Sequence, residues 1–133
     1  MDAAQGDWWI ISGAAVALYA PGRVVAEDVD VLVGVDDARL LLQALGLSTS
    51  AEPPGRLFRS EVFARWTAPP LTIEFMAGLH VRAEGRWRPV AFDTRERTCV
   101  GGATVFVPSR EELRRSLLLF GRPKDLERAA LLG

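Results

Sequence analysis

Two carboxylates, Asp28 and Asp30, interrupt an apolar run in VVAEDVDVLVG, residues 24–34. Burying an acid among β-branched residues is costly unless a cation offsets the lost hydration. Strand side chains alternate with period 2, so Asp28 and Asp30 share one face while Val29, Val31 and Val33 face the core. Two oxygen ligands so close together on a rigid element suit a hard cation. Glu74, in LTIEFM over residues 71–76, is a third acid where a strand wants a hydrophobe. If the two segments are neighbouring strands, three carboxylates converge. Three acids without histidine or cysteine point to Mg²⁺ rather than zinc. Two such ions, roughly 3.5–4 Å apart, stabilise in-line phosphoryl chemistry. A D-x-D alone is common on solvated sheets; here the third acid and an upstream glycine turn favour the metal site. Glu61 is the weaker rival for the third position, because Arg59 and Arg65 flank it and its strand looks solvent-facing. Glu27 has the wrong parity.

Composition narrows the classes. At 133 residues the chain is expected to form a single domain over 1–133, and 49% hydrophobic residues are enough for a core. Sixteen basic residues against seventeen acidic ones, a net charge of −1, disfavour a general nucleic-acid binder. The single Cys99 and single His80 exclude a disulfide framework and a cysteine- or histidine-rich metal centre. The N-terminus has no secretory pattern and no segment is long and apolar enough to span a bilayer, so no membrane role and a reducing cytoplasm are expected.

The elements that must position the acids follow from periodicity and breakers. Residues 1–6 read as a frayed tail and Trp8–Ile11 as a buried strand. Ser12-Gly13 break it, Ala14–Tyr19 read as a short helix, and Pro21-Gly22 end that helix. Val24–Val33 hold the second strand. Asp36 is the expected N-cap of a helix over Asp37–Leu45, stopped by Gly46. Residues 48–56 read as a loop. Leu57–Thr67 and Leu71–Met76 read as an antiparallel pair, and 80–98 suggest no particular element. Ala103–Val107 read as a strand. Ser109 with Glu112 predicts a capping box for a helix over Arg110–Phe120. Gly121 ends it and Pro123 begins another, so 110–132 close the chain as a helix pair. The expected class is α+β (or α/β), a mixed sheet flanked by helices.

The succession of strand, Ser12-Gly13, helix, Gly22-Arg23, Asp28-Val29-Asp30 and the later Glu74 strand resembles the DNA polymerase β-like nucleotidyltransferase superfamily. It is most similar to the minimal domains of that superfamily, including lincosamide and aminoglycoside nucleotidyltransferases and related toxin–antitoxin proteins. The stretch Phe120-Gly121-Arg122-Pro123-Lys124-Asp125-Leu126 also resembles a segment found in several of these groups. The resemblance implies a nucleotidyltransferase-like fold, with Asp28, Asp30 and Glu74 as metal ligands and catalytic acids. It implies a nucleotide site formed by Ser12, Gly13, Ala14, Arg23 and Lys124, in which a helix N-terminus and cations meet the triphosphate. The sequence departs from the family at two places. Ala14 stands where a Ser or Gly is usual, and Glu74 where Asp is commoner.

The expectation is therefore a Mg²⁺-dependent enzyme moving a nucleoside monophosphate from an NTP to a hydroxyl of a small molecule or protein. The alternative is a non-catalytic member, either an antitoxin-like partner or half of a homodimer. The remaining candidates are weaker. Lys124 in a first helical turn opposes the macrodipole, although Asp125 and Glu127 compensate. Gly101-Gly102 lack the residues of a phosphate loop and read as a turn. His80 reads as a surface residue and Cys99 as a small buried one. Of Trp8 and Trp9, one points in and one out. The mixed charges of 82–97 read as a solvated region.

Overall fold

The computed structural model describes residues 6–47, 50–52 and 57–133. The expected tail lies outside the described residues except for Gly6, as does most of the 48–56 loop. The strands are β1 (Trp8–Ile11), β2 (Asp28–Val33), β3 (Ser50–Glu52), β4 (Phe58–Trp66), β5 (Thr72–Ala77), β6 (His80–Ala83), β7 (Arg86–Pro89), β8 (Glu96–Val100) and β9 (Ala103–Val107). The helices are α1 (Ser12–Tyr19), α2 (Val35–Ala44), α3 (Arg110–Phe120) and α4 (Pro123–Leu132).

The main sheet runs β1-β2-β5-β4-β6-β7, with β3 added on β4, while β8 and β9 form a separate hairpin. The β2–β5 pair is parallel and the pairs around it antiparallel, so the class is α+β with a mixed sheet. The parallel pair requires a crossover. The chain leaves β2, covers one face with α2, and returns through β4 to lay β5 beside β2.

Alternation gives the sheet two apolar faces. Val31, Val33, Phe75 and Ala77 pack under α2 through Leu41 and Leu42. Ile11, Leu32 and Met76 face the other way, against Leu79 and Phe92. Phe58 and Val90 join that second cluster to the one made by α1, α3 and α4, around Val16, Leu113, Leu117 and Ala129. The β8–β9 hairpin seats on β1, with Phe106 edge-on to Trp8 at 5.3 Å and the Arg95 guanidinium over Phe106 at 3.4 Å.

Several boundaries differ from the sequence reading for local reasons. Residues 24–27 are not strand, because β2 begins at Asp28, where pairing with Thr72 starts. Helix α1 begins two residues early, at Ser12, which takes a left-handed φ of 57° to turn the chain. Helix α2 is entered through Gly34, and Asp36 lies in its first turn without capping it. There it still suits the macrodipole. Ser50–Glu52 form strand rather than loop, and 80–98 hold β6, β7 and the start of β8. The first two close one end of the sheet, with β7 at its edge, and their exposed arginines hide the alternation.

The predicted capping box of α3 is half formed. Ser109 Oγ accepts from the Glu112 amide at 3.2 Å. The Glu112 carboxylate instead accepts from the Asp93 and Thr94 amides, at 2.9 and 2.6 Å, and from the Thr94 hydroxyl. Burial pushes the Glu112 carboxyl up, but these hydrogen bonds outweigh it and hold the group below its ordinary range. Helix α3 ends as expected at Gly121, whose φ of 73° is left-handed and whose amide donates to Leu117 O at 3.0 Å. Cys99, expected inside, is exposed.

The position of α2 on the sheet can be tested by truncation. Leu42 is fully buried beneath it, whereas Leu40 on the same helix is 47% exposed. Leu42→Ala should destabilise the protein by about 2–5 kcal/mol in denaturant melts. Leu40→Ala should change stability by less than about 0.5 kcal/mol. Equal effects would contradict the packing of α2.

Candidate active site

The register of the parallel pair sets Asp28 opposite Thr72 and Asp30 opposite Glu74. The three acids therefore share one face. One carboxylate oxygen from each lies within 4.8 Å of those of the other two. Farther along the same face Leu32 and Met76 are buried, so the acids sit where an apolar face opens to solvent. Asp28 is exposed at the mouth, Asp30 is half-buried, and the Glu74 side chain is 17% exposed. The acids line a cleft of about 750 Å³ between the sheet and α4.

The chemistry of this cluster is set by repulsion. Burial pushes Asp30 up from 3.8 to about 7; Asp28 and Glu74 add to the effect, and Arg122 and Lys124 oppose it. Three carboxylates so close can be relieved by a proton or by a divalent cation. An all-oxygen set of this kind is compatible with a hard divalent cation. Arg65, paired with Glu74 across β4 and β5, brings its guanidinium to 3.6 Å from Glu74 Oε2.

The opposite wall is cationic and belongs to α4. Arg122 is the N-cap of that helix, and the fully buried Asp125 holds it. Asp125 accepts from the Arg122 amide at 3.2 Å, from Nε at 2.6 Å and from an Nη at 3.1 Å. The guanidinium lies 4.9 Å from the centre of the Phe58 ring, which is itself edge-on to Phe120. Arg122 is thus clamped between an acid and an aromatic face. Lys124 and Arg128 line the same cleft, one turn apart on α4.

At the back of the cleft, β1 turns into α1. Ser12 is buried with a left-handed φ, a strain of about 1–3 kcal/mol for a residue with a side chain. The N-cap Ile11 makes no side-chain hydrogen bond, and the first turn of α1 carries no acid.

The structure thus gathers Asp28, Asp30, Glu74, Ser12, Gly13 and Lys124 around one cleft. Ala14 and Arg23 are not among its lining residues, and Arg23 is exposed. Glu27 lines the cleft beside Asp28. Glu61 is exposed, and His80 Nδ1 bonds Gly78 O at 2.9 Å. Sequence reasoning missed Arg122 and Arg128. The spacing Arg122-x-x-Asp125 and the four-residue step from Lys124 to Arg128 were the available signals, since helical neighbours lie three and four apart.

No family model and no curated protein sequence matches the chain. Solved structures do. A Thermotoga maritima protein assigned as a nucleotidyltransferase superposes with a TM-score of 0.72 at 20% identity, covering 92% of this chain and 79% of that one. The lincomycin-bound lincosamide antibiotic adenylyltransferase LnuA gives 0.54 at 14% identity, covering 95% and 85%. The antibiotic-resistance factor ANT(2″)-Ia gives 0.54 at 14% identity, covering 94% and 72%. At these identities the likeness establishes the fold, which is that of the nucleotidyltransferases. Among the described residues no helix is long and apolar enough to cross a membrane.

The crowding of Asp30 has a consequence for stability. Between pH 3.8 and about 7 the folded chain holds a proton that the unfolded chain has released, so stability falls as pH rises. Asp30→Asn removes this effect. Without divalent cations the variant should be more stable than wild type at pH 8 by about 1–3 kcal/mol, with the difference gone at pH 4 and below. Denaturant melts at the two pH values check this. A wild type as stable as the variant at pH 8 would contradict the crowding.

Proposed function

We propose that the chain is a Mg²⁺-dependent nucleotidyltransferase that moves a nucleoside monophosphate from an NTP to a hydroxyl group of a small molecule or protein. The observation that carries this reading is the in-register pairing of Asp30 with Glu74, which brings three carboxylates together beside a cationic wall. The fold shared with nucleotidyltransferases supports it.

In this reading Asp28, Asp30 and Glu74 would hold Mg²⁺, two ions in all. The metal would neutralise charge on the phosphates as it develops. Glu74 accepts the proton of the acceptor hydroxyl. The freed oxygen forms a bond to the α-phosphorus, and the bond from that phosphorus to the β-phosphate oxygen breaks. The electron pair leaves with pyrophosphate. Lys124, Arg122 and the N-terminus of α1 face the leaving group. Such a reaction depends on positioning and electrostatics more than on covalent chemistry by the protein. The antibiotic acceptors of the neighbours belong to those proteins.

A second reading, a non-catalytic partner protein or homodimer of the same fold, draws on Leu118 and Leu119 of α3 and Leu126 of α4. All three are exposed.

Melting with Mg²⁺ and each NTP separates the two readings. A ligand held at about 100 times its dissociation constant stabilises the native state by about 2.7 kcal/mol. Wild type should show that rise, and Asp28→Asn and Asp30→Asn should not. Pyrophosphate release with a competent acceptor should fall about 10²-fold or more in Asp30→Asn. No rise with any NTP would favour the partner reading.

A further inference from the structure

The three cations of the α4 wall are not equivalent. The charge of Arg122 is already met by Asp125 at 2.6 Å. Arg128 is half-buried, yet no salt bridge or hydrogen bond joins it to a described residue. Its guanidinium packs on the first turn of α1. A Cβ built on Gly13 would fall 2.8 Å from Arg128 Cζ and 2.9 and 3.0 Å from its two terminal nitrogens. Only the missing side chain of Gly13 lets the group lie there.

The arrangement is unfavourable as pure structure. Lys124 and Arg128 are like charges at i and i+4 on one helix face, which destabilises a helix by about 0.2–0.5 kcal/mol. Lys124 also stands in the first turn of α4, against the macrodipole, and Asp125, the acid of that turn, is engaged by Arg122. Both side chains line the cleft, and Arg128 lies against the uncapped start of α1. An anion there relieves every one of these costs at once. Arginine presents a planar fork of donors that matches the oxygens of a phosphate.

We infer that Arg128 is the residue that grips the terminal phosphates of the NTP, holding the pyrophosphate group over Gly13 with Lys124 one turn away. The inference rests on the nucleotidyl-transfer reading and assigns Arg128 the leaving group. It follows that the site selects triphosphates over monophosphates through Arg128, and that Gly13 is needed to keep the guanidinium in place.

Calorimetry with Mg²⁺ and each of ATP, inorganic pyrophosphate and AMP tests this on wild type, Arg128→Gln, Arg128→Lys and Gly13→Ala. Arg128→Gln should weaken ATP and pyrophosphate by roughly 10-fold or more, while AMP changes by less than about 2-fold. Arg128→Lys should recover part of the loss. Gly13→Ala, which displaces the guanidinium, should lose pyrophosphate affinity in the same direction. Without ligand, Arg128→Gln should melt at or above wild type, because a like-charge pair has gone. ATP and pyrophosphate binding equal in wild type and Arg128→Gln would overturn the assignment of Arg128 and leave the transfer reading standing. Pyrophosphate binding that depends on Arg128, without binding of any nucleotide, would keep the anion grip and overturn the transfer reading. A wild type that binds none of the three ligands would overturn both.

Discussion

The structure depends on holding like charges together. The parallel register of β2 and β5 places Asp30 beside Glu74, with Asp28 two residues away. Nothing in the hydrophobic effect favours this. Each strand would bury more apolar surface with a valine or isoleucine at those positions. The register is fixed farther in, where Val31 and Phe75 pack beneath α2 and Leu32 and Met76 pack on the opposite face. Slipping by one residue would turn every one of these side chains to the wrong face. The core thus forces the acids into proximity, and burial and repulsion raise the proton affinity of Asp30 as a result.

The closing helices supply the opposite charge. Leu113, Leu117 and Phe120 of α3 and Ala129 and Leu132 of α4 are buried together, which fixes the angle at which α4 meets the cleft. Gly121 makes the turn between the helices and leaves Arg122 at the N-cap. The fully buried Asp125 then explains why Arg122 does not wander. A charge removed from water is tolerable only when hydrogen-bonded and paired, and Asp125 receives three donors from a single arginine. Acids on the sheet and cations on α4 therefore face each other across a gap. That gap is where a metal-bound triphosphate would fit.

Much of this was legible in the sequence. Asp28, Asp30 and Glu74 stood out because an acid inside a β-branched run violates the pattern around it. Pro123 after Gly121 marked the helix pair without ambiguity. The β6–β7 end of the sheet was not legible, because both strands carry arginines on exposed positions and lack clean alternation. Arg128 was hidden for a different reason. On a helix face it looks like any solvated arginine, and only its approach to Gly13, 115 positions earlier in the chain, sets it apart. Glu112 looked like half of a capping box, but the carboxylate is drawn off to the amides of a distant turn. A local motif cannot report such long-range competition.

The alanine at position 14 bears on the proposed reaction less than its type suggests. A hydroxyl there matters only if the side chain reaches the cleft, and Ala14 is not among the lining residues. Ser12 and Gly13 are. The left-handed φ of Ser12 starts α1 two residues before the sequence pattern does, and so carries its first turn to the cleft wall. In the proposed reaction the backbone amides of that turn would do the work that a side-chain hydroxyl would share, and they are present whatever the residue at position 14. Gly13 differs, because the Arg128 guanidinium occupies the space its side chain would fill and would have to shift on substitution. In the proposed reaction the anion would therefore be met by the start of α1 and the guanidinium from α4, neither of which depends on the side chain at position 14.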